Sequence, residues 1–213
     1  PLNGRLKIVS QAHLQDETVG SSPNHTTVRE SQLLVGVAIN VNELLTVSAS
    51  LPWVWKTVAE PNQAYHESNT LGDFEFSTKL YLFQDKPNNP RHLAGVLTSL
   101  LIPTAPILRR ANNAPITTNA QPGTGSWIPS GGVWYGYYRL AWSLYASVST
   151  QLPTVSHYEQ EKGIALIGTT FAQYQPTYWL ALQLGMDVRH SKPDQKNNQP
   201  EGDSGGTLLS ANP

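Results

Sequence analysis

Gly202-Asp203-Ser204-Gly205-Gly206 is the stretch whose residue types could do chemistry most directly. A serine hydroxyl set among glycines can attack a carbonyl carbon if a histidine takes its proton and nearby N–H groups hold the oxyanion. His66 stands far upstream and is followed by Asp73 or Asp85, so the chain order offers a base and an orienting acid. The surroundings argue against that use. His66 sits in Ala64-Tyr65-His66-Glu67-Ser68, with no small-residue run leading into it, and only nine residues follow Ser204.

The pentapeptide matches the nucleophile loop of chymotrypsin-like serine proteases, a fold that needs further strands after its nucleophile to build a substrate pocket. A polar tail rich in Gly, Asp and Ser yields the same five residues without any catalysis. The six histidines (His13, His25, His66, His92, His157 and His190) are scattered without metal-ligand spacing, and no carboxylate pair stands out. His157-Tyr158-Glu159-Gln160-Glu161 is the densest polar cluster and reads as a solvated turn. The chain is therefore read as no enzyme, with no catalytic residue, no metal and no cofactor.

The elements that would position any site are strands. From Gly131 to Thr150 the even positions Trp134, Tyr138, Leu140, Trp142, Leu144, Ala146 and Val148 are apolar. The odd positions Tyr135, Tyr137, Arg139, Ser143, Tyr145, Ser147 and Ser149 are polar or amphipathic. Alternate side chains of a strand point to opposite faces, so this run predicts one long strand, or two in line, with one dry and one wet face. Arg5–Ala12 predicts an edge strand and Asp16–Thr27 a polar loop holding the sequon Asn24-His25-Thr26. Leu33–Val41, Leu44–Ser50, Phe74–Phe83, Gly163–Phe171 and Tyr178–Val188 predict further strands. Trp53 and Trp55 share one side of an extended segment, where filling a core is the expected role. Arg91–Leu101 reads as a helix, because Leu93, Val96, Leu97, Leu100 and Leu101 fall on one helical face after Pro90. Pro103–Gly132 reads as a long surface loop with an exposed Arg109-Arg110 pair.

The expected fold is all-β: a β-barrel or sandwich of about seven or eight strands, with long loops and at most one or two short helices. Residues 1–213 read as one domain, with 1–4 as a tag remnant and 191–213 as a flexible tail or long loop. The start at Pro1-Leu2-Asn3, without Met, reads as a piece cut from a larger protein. With 14 Lys+Arg against 15 Asp+Glu and no basic run, nucleic-acid binding is not expected. The absence of Cys excludes disulfides, thiolate metal sites and thiol nucleophiles. The apolar runs are far too short to span a bilayer, so membrane insertion is not expected either.

What remains is an aromatic, low-charge surface. Tyr135, Tyr137 and Tyr145 on the wet face of the central run, with Trp127 nearby, form the candidate receptor- or glycan-binding residues. In length, composition and strand order the chain resembles the astrovirus capsid spike of the avian type, through Gly131–Thr150, Glu161–Gly168 and Tyr178–Val188. That resemblance implies a homodimeric projection on the virion, assembled in the host cytoplasm, which attaches to a host-cell receptor (protein or glycan) and is bound by neutralising antibodies. A carbohydrate-binding β-sandwich module and a truncated serine protease are the competing classes. If Gly202–Gly206 is only a tail, Ser204→Ala should shift folding stability by less than about 0.5 kcal/mol. A peptidase activity that disappears with Ser204 would reverse that reading.

Overall fold

The structure, a computed structural model, describes residues 6–19, 26–59, 65–87, 89–109, 121–156, 160–177, 179–196, 199–200 and 205–212. The strands in chain order are β1 (Leu6–Val19), β2 (Thr26–Asn40), β3 (Leu45–Ala59), β4 (Tyr65–Leu71), β5 (Phe74–Gln84), β6 (His92–Ile102) and β7 (Ile128–Arg139). They continue with β8 (Trp142–Gln151), β9 (Gln160–Glu161), β10 (Ala165–Thr177), β11 (Leu180–Ser191), β12 (Gln195–Lys196), β13 (Gln199–Pro200) and β14 (Gly206–Asn212). One antiparallel sheet of 11 strands runs β1-β2-β3-β5-β6-β7-β8-β10-β11-β14, with β4 also on β3. The short β13, β12 and β9 form a second sheet. The main sheet curls into a half-barrel, so the all-β expectation is met with more strands than the seven or eight expected.

Four local expectations are corrected. No helix occurs among the described residues, and 92–102 is the strand β6. Its two faces, Ala94, Val96, Leu100 and Ile102 against Leu93, Leu97 and Leu101, are both apolar, which erases the period-2 contrast and leaves a helix-like pattern. The run 131–150 is a hairpin rather than strands in line, because Leu140 takes φ 49° and turns β7 back onto β8. Strand pairing extends through Asp16–Val19, where a loop was expected. Within 191–213, Gly206–Asn212 is no tail: it pairs with β11 from Gly185 to Ser191. Asn24, Arg110, His157 and Ser204 lie outside the described residues.

The two rims of the sheet differ. At one rim the strands are joined by the short connections 41–44, 85–91, 140–141 and 178–179. At the other lie 103–127, 152–164 and 192–205. The turn at 85–91 is closed by Asp85 Oδ1, which accepts the N–H groups of Arg91 (2.8 Å) and His92 (2.9 Å). The bond from His92 leads the effects that hold this carboxyl below the usual carboxylate range.

Glycine sets the close contacts inside the curl. Gly95 lies opposite Trp134, and a Cβ there would fall 2.9 Å from Trp134 Nε1 and well inside the Leu80 carbonyl. A Cβ on Gly131 would meet nothing within 4 Å. Gly95→Ala is therefore expected to cost about 1–3 kcal/mol, read as a lower denaturant midpoint, whereas Gly131→Ala should leave the midpoint nearly in place.

Candidate functional site

Burial in this sheet runs opposite to that of a globular protein. The buried hydrophobic residues among those described are Val28, Val54, Val58, Ile128, Trp134 and Ala165. The accessible surface is 13982 Å², whereas a soluble globular chain of 23.4 kDa would expose roughly 9,700 Å². One face of the sheet carries a long series of exposed apolar side chains. Cross-strand registers align Ile8, Val37, Ala49, Phe76 and Leu100 on that face, and likewise Val96, Val133, Val148, Gly168 and Val188. Leu33, Val35, Leu80, Leu144, Leu166, Leu182, Leu184 and Met186 continue it, and all are exposed. No Asp, Glu, Lys or Arg interrupts this series from Leu33–Ile39 of β2 to Leu182–Val188 of β11 among the described residues.

Aromatic side chains bracket the aliphatic band. Near the short-turn rim stand Tyr135, Tyr137, Trp142 and Tyr174, with Trp142 and Tyr174 rings 4.6 Å apart and Tyr135 OH 2.6 Å from His92 Nδ1. Near the long-loop rim stand Trp53, Trp55 and Trp127, with Trp53 Nε1 donating to Asn69 Oδ1 at 2.5 Å. Trp53 and Trp55 thus lie on an exposed face at 40% and 42% exposure, not in a core. Of the four candidate binding residues, Tyr135 and Tyr137 share the outward face near one rim and Trp127 lies near the other. Tyr145 points to the opposite face, because the hairpin reverses the parity between β7 and β8. They form no single surface.

The inner face is concave and mixes polar side chains with Leu93, Leu97 and Leu101 of β6: Lys79 of β5 reaches the Tyr145 ring of β8 at 4.8 Å, across two intervening strands. Ser48 and Ser77 hydroxyls meet at 2.6 Å, as do those of Ser99 and Ser130. Beside them an aromatic row runs from Tyr81, edge-on to Trp134 at 5.0 Å, through Trp134 and Tyr145 at 6.1 Å, to Phe171 at 4.9 Å. Lys79 Nζ sits 3.7 Å from the Trp134 ring centre. A groove of about 370 Å³ opens there, lined by Ser48, Glu75, Ser77, Lys79, Ser99, Ser130, Tyr145, Ser149 and Gln151 among others. Sequence reasoning assigned no role to Lys79 or Glu75; their alternation with Phe76 and Leu80 on β5 was the available signal.

At the long-loop rim the described parts of 103–127 fold against the sheet. Buried Asp73 accepts from Ala105 N (3.1 Å), Thr124 N (2.6 Å) and Thr124 Oγ1 (2.8 Å), so it serves as an anchor for this segment. Gln121 Nε2 donates to the Leu108 carbonyl at 3.0 Å and its Oε1 accepts from Leu108 N at 2.9 Å. Lys56 Nζ, paired with Glu30 at 3.0 Å, donates to the Gln121 carbonyl at 3.2 Å. Leu108 packs on Val28 and Val58. Burial lowers the pKa of Lys162 in the neighbouring 152–164 connection, with the Asp194 charge opposing that shift.

No family model and no curated protein matches the sequence. Among solved structures, the chain is similar to an outer membrane channel from Pseudomonas putida F1, with TM-score 0.73 and 13% identity. The match covers 98% of this chain and 80% of that one. At this identity the likeness is one of fold. Asp73→Asn keeps the shape of the anchor but removes its charge, weakening bonds worth about 1.5–3 kcal/mol each when an ionised acceptor is involved. Amide exchange at Ala105 and Thr124 should then rise at least tenfold, while exchange in β7 and β8 stays unchanged.

Proposed function

We propose that this chain forms the wall of a channel in an outer membrane, crossing the bilayer with strands while solutes pass along the concave inner face. The carrying observation is the exposed, uncharged aliphatic band between two sets of aromatic residues, on the face opposite the Ser-, Gln- and Lys-bearing surface. Exposed apolar area of this extent needs an apolar partner, and acyl chains would cover the whole of that outward face at once. Amphipathic Tyr and Trp rings suit the boundary where one end is wet.

The dimensions agree. Tyr137 lies ten positions beyond Trp127 on the β7 series, about 34 Å along a strand and about 26 Å across a bilayer at a tilt near 40°. Transmembrane barrels carry an apolar band of about 25 Å, with short turns at one rim and longer loops at the other. The connections 41–44 and 140–141 against 103–127 repeat that asymmetry. The likeness in fold to an outer membrane channel supports the same reading.

The purified chain is expected to fold in detergent or lipid and to give stepwise conductance in planar bilayers. Lipids brominated along the acyl chain should quench its exposed tryptophans, with Trp142→Phe reducing that quenching. A monodisperse dimer, soluble without detergent and silent in bilayers, would sink this reading. That outcome would favour the capsid-spike alternative, with its receptor and antibody contacts.

A further inference from the structure

We infer that the groove around Lys79 is an anion-selecting subsite, suited to small hydroxylated carboxylates that pass along the inner face; this rests on the channel reading above. Lys79 Nζ is held over three rings, 3.7 Å from Trp134, 4.8 Å from Tyr145 and 5.7 Å from Tyr81. Ring faces stabilise an ammonium through their quadrupoles without cancelling its charge. Among the described residues Lys79 has no carboxylate at ion-pair distance, whereas Lys56, on the same inner face, is neutralised by Glu30. The two lysines differ in what they offer a passing solute. One is a closed pair that anchors the 103–127 segment; the other has its pKa lowered to about 8 by burial and by the Lys7 charge, remains a cation near neutral pH, and has its field left open.

The space in front of that cation is made by small residues. Registers place Ala38, Ser48, Ser77, Ser99 and Ser130 side by side across five strands, so the surface recedes there and presents hydroxyls. Hydroxyl groups both donate and accept, which matches the hydroxyls of a solute whose carboxylate Lys79 takes. The other charges facing this region are Glu75, four residues away on the same strand face, and Lys7 on the inner face of β1. Arg189 and Asp187 stand on the inner face of β11, farther along the curl. With Glu30 and Lys56 paired and Asp73 occupied by the 103–127 segment, the balance near the groove is two lysines against Glu75. Fixed charges lining a pore select the opposite sign.

The test is the reversal potential of the reconstituted full chain in planar bilayers under a tenfold KCl gradient. Wild type is expected to prefer chloride over potassium by about threefold or more, as one unscreened charge in a narrow aqueous lumen would produce. Lys79→Met should bring the ratio close to unity, Lys79→Glu should invert it, and Lys79→Arg should retain most of it. Gluconate, the hydroxylated carboxylate probe, should reduce the wild-type chloride current and leave the Lys79→Met current unaffected. Wild-type pores that prefer potassium overturn the assignment even if every variant fails to insert. So does a Lys79→Glu pore with unchanged selectivity. Pores without anion preference defeat this inference alone, whereas no pore at all removes the channel reading with it.

Discussion

Neighbouring residues of a strand face opposite sides, and a backbone paired on both edges leaves no polar group for the surroundings to satisfy. These two constraints govern the molecule. From β2 to β11 each strand of the main path is hydrogen-bonded on both flanks, so the side chains alone decide what each face meets. One face carries Val37, Phe76, Val133, Val148 and Met186; the other carries Ser48, Ser77, Lys79, Ser147 and Ser149. Among the described residues a small dry cluster sits at the long-loop rim, where Val28, Val58 and Leu108 meet.

Much of this was legible in the sequence, but its sense was not. Period 2 in 33–41, 74–83 and 131–150 marks strands and separates their faces. It does not say which medium each face meets, because a hydrocarbon layer and a protein core select the same side chains. A length test made for helices misses a span built of alternating residues, of which about ten suffice. The β7–β8 turn was hidden for a different reason. Leu140 and Ala141 carry none of the usual turn chemistry, and Leu140 adopts a left-handed backbone that favours Gly or Asn.

The candidate site was still less visible. Lys79, Trp134, Tyr145 and Phe171 are separated by up to 92 positions and meet only because β5, β7, β8 and β10 curl toward one another. Tyr145 was singled out for exposure on a recognition surface, yet it supports the ammonium on the concave side. The glycine-rich Gly202–Gly206 motif stands out through residue identity alone. Ser77 and Ser130, which line the groove, sit in no motif.

The pairing order has a consequence for how such a wall comes to exist. Along the main path every stave is bonded to its predecessor on that path, and among the described residues β4, β9, β12 and β13 are the detours. The shortest closures, at 140–141 and 178–179, flank β8 and β10, and join into a run of four staves once 152–164 folds back. Loop-closure entropy is smallest there and largest at 103–127. The sheet can therefore be zipped outward from the β7–β11 meander, each added hairpin finding an edge already in register. The 103–127 crossing, fastened by Asp73 and Gln121, falls late in that sequence. In such an order, the curved surface would exist before the segment that settles against it.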